Sequence, residues 1–449
     1  MKIFKLFFEK SKVWLIKSFL LFLFITSSLI TACSKENSEA ETEITDHPVA
    51  VGSFVQPWLA TFWDDKRWQE EFSMLREAGM KYLVLDPTLE TNENDISTAI
   101  YPSDLPLVKN NYSIDLVDNC LRNAEKAGFK VFIGLNFHKK WWGSNTSEWI
   151  SDQMELGNQV AGELFQKYKE KYPKSFYGWY WGWEIDNLRF KTTERQDALI
   201  KALNINIDYL NEITPNMPFM FCPFVNHRVG SVTENRDMWM NILPRVHFRK
   251  GDIFAPQDCV GAGGLELHMV DEWFKTMAEA VDMVPGLEFW SDAETFDQRF
   301  WTAATLDRFI KQMEIVQPYV SNIISFAYSH YYSTFQKSNE FHKLYQVYVK
   351  TGKLPTDLFL APVKEMRVSS VGGKMLVEWE EPPLMLNIVG YYIYRDGVLI
   401  GNVQYDGQNK CETKFNDSDK LSKGKHIYKV SSYGANGDES CTSVVEVVV

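Results

Sequence analysis

Cysteine is scarce in this chain, with six in 449 residues. No pair stands as Cys-x-x-Cys, and no Cys/His cluster has the spacing of a zinc site. After Cys33 come Cys120, Cys222, Cys259, Cys411 and Cys441; the last two share one short segment, and whether they pair is open. Histidine is also sparse, with eight, and His138, His227, His247, His268 and His330 among them are scattered rather than set at metal-ligand spacing. The expectation is therefore no metal and no organic cofactor. Positive charge is in deficit, since 47 Lys and Arg against 59 Asp and Glu leave a net charge of −12. That speaks against nucleic acid or an anionic membrane surface as a partner. There is no G-x-S-x-G elbow and no phosphate-binding P-loop, and no internal repeat is visible. The one long apolar run, "FLLFLFITSSLI" (19–30), is short for a bilayer span.

What that run does have is context. Lys2, Lys5, Lys10, Lys12 and Lys17 precede it, and Thr31-Ala32-Cys33 follows. A basic region, an apolar region and a small residue before Cys read as a signal segment. It resembles a bacterial lipoprotein signal, which implies cleavage before Cys33 and lipid on its thiol; the alternative is an uncleaved anchor with an incidental Cys. "SKENSEAETEITDH" then runs polar and acidic without pattern, as a flexible tether would. An acidic stretch after a lipidated Cys resembles a surface-export signal of some Gram-negative lipoproteins. The implied location is the outer membrane, reached through the lipid alone, with exposure at the cell surface as the further implication. This assigns 1–32 to the signal and 33–48 to the tether.

Aromatics are abundant, with 15 Trp, 20 Tyr and 30 Phe; most belong to cores, and the excess suits a protein that stacks sugar rings. Over 49–352 short apolar strands alternate with amphipathic helices. The strand candidates are 53–58, 81–89, 130–138, 176–187, 217–226, 252–259, 287–296 and 322–332. "DDKRWQEEFSMLREAG" keeps Trp68, Phe72 and Leu75 on one face and closes with Gly79, a plausible C′ residue. Eight such strand–helix units predict an α/β fold, a (β/α)8 TIM barrel. The runner-up is a doubly wound open sheet, which usually carries a Gly-rich turn after its first strand; "SFVQPWLATFW" has none.

Over 358–449 helical periodicity stops. "KMLVEWEEP", "GYYIYRDGVLIGN", "KHIYKVSSY" and "SVVEVVV" read as strands, with Asp396-Gly397 as a hairpin turn. Trp379, Tyr391–Tyr394 and "YKVSSYGANGDES" make this segment similar to a fibronectin type III domain. The resemblance implies a small all-β, immunoglobulin-like sandwich used as a spacer or binding module.

Active sites of TIM barrels lie at the C-terminal ends of the strands. The polar strand-end residues are Gln56, Asp86, Asn136, His138, Glu184, Asp186, Asn226, Gln257, Asp258, Asp292, Glu294, Tyr328 and His330. In "WYWGWEIDN" (179–187), alternation sets Tyr180, Gly182, Glu184 and Asp186 on one face and Trp179, Trp181, Trp183 and Ile185 on the other. The tryptophans suit the wall under the helices, and Glu184 points into the cleft. By the same rule Gly134, Asn136 and His138 share a face, as do Trp290, Asp292 and Glu294, and Phe326, Tyr328 and His330. Trp141 and Trp142 follow strand three in a polar loop, where they either stack sugar at the rim or tuck under the loop. Trp58 and Trp290 are candidates for a subsite floor. A substrate-binding set follows: Gln56, Trp58, Asp86, Asn136, His138, Trp141, Trp142, Asp186, Asn226, Asp258, Tyr328 and His330.

Glu184 after strand four and Glu294 after strand seven resemble the carboxylate placement of the retaining glycoside hydrolases called clan A. The resemblance implies Glu184 as acid/base and Glu294 as nucleophile, since the reaction needs one proton donor and one attacking carboxylate. Clan A enzymes usually carry Asn just before the first Glu; here Trp183 stands there. Asp258 and Asp186 are competing carboxylates. "GSFVQPWLATFWDDKRWQEEFSMLREAGMKYLVLD" and "GWYWGWEIDN" also resemble a bacterial family known as domain of unknown function 4434, whose description implies glycosyl hydrolysis. The expected function is a glycosidase acting on an oligo- or polysaccharide. The rival is a non-catalytic glycan-binding protein on the same scaffold; a metal-dependent deacetylase or esterase is a third reading.

Overall fold

A computed structural model describes residues 47–110, 114–143, 146–406 and 411–449. The expected signal segment and almost all of the expected tether, Cys33 included, lie outside the described residues. Among the described residues no helix is long and apolar enough to cross a membrane.

Eight parallel strands close into a barrel: β1 Gly52–Val55, β2 Tyr82–Leu85, β3 Lys130–Gly134, β4 Phe176–Trp181, β5 Phe219–Phe221, β6 Ile253–Phe254, β7 Glu288–Glu294 and β8 Asn322–Phe326. Each pairs with its neighbour in sequence, and β8 returns to β1 through Gly52 opposite Ile324. Eight principal helices follow the strands: α1 Asp65–Glu77, α2 Leu116–Ala127, α3 Ser147–Leu164, α4 Thr193–Ile213, α5 Val232–Ile242, α6 Val270–Val281, α7 Leu306–Val316 and α8 Asn339–Thr351. Side-chain caps start most of them. Asp64 accepts the Arg67 N–H, Asp115 the Asp118 N–H, and Ser231 forms a capping box with Glu234. Gly128, at φ +74°, ends α2 in the left-handed region that glycine adopts without strain.

Two apolar layers result. An inner one, with Phe54, Tyr82, Phe132, Tyr180, Met220 and Trp290, fills the barrel. An outer one lies between strands and helices and contains Trp68, Phe72, Leu75, Trp179, Trp181 and Trp183. Short strands above the mouth, Leu89–Thr91, Ser97–Ala99, Val108–Asn110 and Asn136–His138, form a separate small sheet.

The C-terminal strands make a β-sandwich. One sheet holds β9 Lys364–Val371, β10 Lys374–Glu380 and β13 Lys414–Asp417; the other holds β11 Ile388–Arg395, β12 Val398–Gln404, β14 Lys425–Gly434 and β15 Ser443–Val448. Trp379, Tyr391 and Tyr428 are buried between them. The sandwich is hydrogen-bonded to the barrel: Asn402 donates to Thr302 Oγ1 (2.9 Å), Gln404 accepts the Ala303 N–H (2.9 Å), and Leu306 N donates to Ala435 O (2.7 Å). Cys411 and Cys441 are both free thiols.

Candidate active site

Strand β4 organises the site. Trp179, Trp181 and Trp183 turn outward; Trp179 Nε1 donates to Thr214 Oγ1 (2.9 Å) and Trp181 Nε1 to Asn206 Oδ1 (3.0 Å). The opposite face carries Tyr180 into the barrel, then Gly182, then Glu184. Gly182 and Gly134 leave space for the Asp86 carboxylate at the end of β2. A Cβ at Gly134 would stand 2.0 Å from Asp86 Oδ1, and one at Gly182 2.5 Å from Oδ2. Gln257, just beyond β6, donates Nε2 to Glu184 Oε1 (3.3 Å) and to Cys222 O (3.2 Å). Asp292 enters from β7 above Trp290.

These groups converge on a cavity of about 210 Å³ at the C-terminal mouth. Asp86, Tyr180, Glu184, Gln257 and Asp292 supply its polar lining; Phe54, Phe137, Trp142 and Phe326 supply aromatic walls, and Gln56 and Glu90 the rim. A second chamber of about 370 Å³ shares Gln56, Pro87 and Glu90 with the first and adds Trp58, Thr98, Ile100 and Lys139. Trp58 is 66% exposed there, its Nε1 donating to Gln56 Oε1 (3.1 Å).

Burial raises the Glu184 carboxyl above its ordinary value, opposed by the Gln257 donor and the Arg189 charge. Asp292 is raised much further, by burial and then by the charges of Glu294, Asp258 and Glu184. Asp86 is also held well above the usual carboxylate range, by burial and by Glu184 and Glu90. Asp292 Oδ1 is buried without a hydrogen-bond partner among the described residues. Carboxylates crowded into one small cavity hold their protons until neighbouring charge is neutralised.

The structure gathers Gln56, Asp86, Trp142, Glu184 and Trp58 from the expected set at the two chambers and places the others elsewhere. Asn136 and His138 lie behind the cleft. Asn136 Nδ2 donates to Gln153 O (2.9 Å), and His138 bonds Asp95 (3.1 Å) and packs on Trp149. The reason is a change of partner: after Gly134 the chain leaves the barrel, Asn136–His138 pairs with Leu89–Thr91, and Phe137 faces the cavity instead. Trp141 is the buried member of its pair, 1% exposed, with Nε1 on Glu184 O (2.7 Å). Asp186 accepts the N–H groups of Leu188 (2.8 Å) and Arg189 (2.6 Å) and pins the turn after Glu184. Asn226 accepts the Arg228 N–H (2.9 Å) in its own loop. Tyr328 is buried against α8, its hydroxyl on His342 Nδ1 (2.8 Å). His330 supports the rim by accepting the Gln56 N–H (3.2 Å), and burial lowers it to about 4, so it is neutral. Trp290 fills the barrel.

The largest departure concerns strand seven. Asp292, not Glu294, shares the cavity with Glu184. Glu294 sits one step higher and is roofed by the loop after β6, where Ala262 N–H donates to its Oε2 (2.7 Å). That loop packs close enough that a Cβ at Gly261 would lie 2.3 Å from Phe296 O and 3.0 Å from Glu294 Oε2. Asp258 faces the helix layer, where Gln312 Nε2 donates to it (2.5 Å) and Val260 N–H caps it (3.0 Å). Asp292 and Gln257 were within reach of the alternation rule: each is a polar strand-end residue on an inward face. Phe54, Phe137 and Phe326 carry no such signal, because an aromatic on an inward face reads equally as core.

Glu294 also carries a stability signature. Burial and the Asp258 charge raise its carboxyl. A carboxyl raised on folding adds stability that is complete below its unfolded value and is lost as pH rises through its folded value. The melting temperature is therefore expected to fall from about pH 5 to about pH 8, and Glu294→Gln to make that fall shallower. A slope identical in the two proteins, read by calorimetry, would refute this electrostatic reading.

A family model described as "Domain of unknown function (DUF4434)" matches residues 50–339. No curated protein matches the sequence. Among solved structures, a candidate alpha-L-fucosidase from Bacteroides thetaiotaomicron VPI-5482 superposes with a TM-score of 0.53 at 22% identity, over 67% of this chain and 92% of that one. An endo-beta-1,4-mannanase from Thermotoga petrophila gives 0.37 at 10% identity, over 90% and 98%. The intracellular xylanase TsXylA from Thermoanaerobacterium saccharolyticum, in a mutant form complexed with xylotetraose, gives 0.39 at 13% identity, over 64% and 89%. The likeness to the first of these is one of fold.

Proposed function

We propose that this chain, which belongs to the DUF4434 family, is a glycoside hydrolase acting on an oligo- or polysaccharide through the Glu184 and Asp292 carboxylates. One observation carries the reading: both groups line a single small cavity at the barrel mouth, with Asp292 Oδ1 left without a protein partner among the described residues. Glycoside cleavage needs one carboxylic acid to protonate the departing oxygen and one carboxylate to attack the anomeric carbon or activate water. Two carboxyls that repel each other divide those roles, one protonated and one ionised. The aromatic walls suit the C–H face of a pyranose, and the outer chamber with Trp58 suits an adjoining sugar.

The test is product analysis over a panel of plant, host and bacterial glycans. Wild-type protein is expected to release sugars from a glycan that it binds, and Glu184→Gln and Asp292→Asn to bind it without release. The rival reading of a binding protein rests on Trp183, buried where clan A enzymes keep Asn. It wins if the wild type binds glycans and cleaves none.

We place the protein at the outer membrane through lipid on Cys33, a reading that the sequence "LITACSKENSEAETE" supports. Metabolic labelling with a palmitate analogue is expected to mark the wild type and not Cys33→Ala; equal labelling would refute it.

A further inference from the structure

Resting on the hydrolase reading, we propose that the inner chamber selects a sugar carrying a protonated amine. Four carboxylates line it, Asp86, Glu184 and Asp292 within and Glu90 at the rim, and no Lys, Arg or His does. Two cations nearby are already paired: Lys139 with Glu90 (3.1 Å) at the rim that the two chambers share, and Arg189 with Asp186 (2.5 Å). The Asp86 carboxyl faces the cavity and makes no hydrogen bond or ion pair to another described side chain. Asp292 is 1% exposed, and its Oδ1 is unpartnered among the described residues. Phe54, Phe137, Trp142, Tyr180 and Phe326 supply aromatic walls, beside the Gln257 amide. Carboxyl groups that ionise once a cation stands beside them, set among aromatic faces, make a box suited to an ammonium.

A metal ion is a poorer fit. Among the described residues no three carboxylate, His or Cys side chains converge closely enough to hold one. A neutral sugar hydrogen-bonds the carboxylates without relieving their repulsion, and a uronate adds to it.

Binding and protonation are then linked. Asp86 faces Glu184, Glu90, Tyr180 and Cys222; Asp292 faces Glu294, Asp258, Glu184, Tyr180 and Cys222, opposed by the Phe326 N–H. A ligand cation beside Asp86 favours its ionised form while Asp292 keeps its proton, so binding displaces a proton from Asp86, and affinity rises with pH across the acidic range until the amine itself deprotonates.

Titration calorimetry on the full chain tests this with glucosamine, galactosamine and mannosamine and their β-1,4-linked dimers. The comparison ligands are the parent hexoses, the N-acetyl forms and the hexuronates. At least one amine is expected to bind about tenfold or more tightly than its parent hexose, with net proton release across buffers of different ionisation heat. Asp86→Asn is expected to remove most of that preference. If Asp86→Asn does not fold, proton release by the wild type remains the readout. Equal or tighter binding of the hexose or uronate, or binding without proton release, overturns the proposal. Tight amine binding with no cleavage of the corresponding glycosides would instead overturn the hydrolase reading and leave this one standing.

Discussion

Asp292→Asn is expected to lower kcat/KM on a cleaved glycoside by about a thousandfold, and Glu294→Gln by less than about tenfold. Placement is the reason. Asp292 opens into the cavity with Glu184, whereas the Glu294 carboxylate is held under the Gly261–Ala262 turn by the Ala262 N–H. Asn keeps the shape of Asp292 but neither donates a proton at useful strength nor attacks carbon. Gln at 294 retains an oxygen to accept the Ala262 N–H, so the loop stays seated.

Glu184→Gln should match Asp292→Asn in size, because acid and base act as one unit. The two differ in leaving-group dependence. Gln257 donates to Glu184 and Arg189 stands beside it, while Asp292 is surrounded by carboxylates. On the proposed mechanism the proton donor is therefore Asp292 and the attacking carboxylate Glu184. Asp292→Asn should keep more of its rate on dinitrophenyl glycosides than on unactivated ones, and added azide should rescue Glu184→Gln. The opposite pattern would return the donor role to Glu184. A large loss in Glu294→Gln with a small one in Asp292→Asn would restore the Glu184–Glu294 pair expected from the clan A resemblance.

The second large effect is on stability. Trp141→Ala is expected to cost about 3–5 kcal/mol, the range for emptying a buried Trp site, and Trp142→Ala less than about 1 kcal/mol. Trp141 packs edge-on against Trp183 at 5.3 Å, lies under the Arg189 guanidinium at 4.8 Å, and holds Glu184 O through Nε1. Its loss opens a cavity and frees the main chain that aims Glu184, so kcat should fall as well. Trp142 is 52% exposed at the chamber wall, so its removal should raise KM and leave the melting temperature nearly unchanged. Chemical denaturation and steady-state kinetics of the two variants separate these effects. Equal destabilisation by both would mean that the pair acts as one core.

Much of the barrel was legible from local pattern alone. Eight strand–helix units over 49–352 announced the closed sheet, and the alternation in "WYWGWEIDN" placed its tryptophans in the wall and Glu184 at the cleft, as found. The same rule failed over 130–138. It assumes that a strand keeps its partners, and after Gly134 this one changes sheets, so Phe137 rather than Asn136 or His138 turns inward. The Trp141–Trp142 pair was undecidable in sequence, because two adjacent aromatics in a polar loop carry no periodicity.

Strand seven marks the boundary between the two kinds of information. Side-chain alternation is a property of a single extended chain, so the sequence alone determined that Trp290, Asp292 and Glu294 share a face, just as it determined the acidic charge and the lack of metal-ligand spacing. Which of the two carboxylates meets Glu184 depends on a different strand. The turn after β6 folds over Glu294, with Gly261 permitting the close approach, and leaves Asp292 open to the cavity. The pocket for Asp86 likewise comes from Gly134 and Gly182, nearly fifty positions apart in the chain and adjacent only once β3 and β4 lie side by side. Contacts between distant segments leave no period in the sequence, and only the closed barrel decided them.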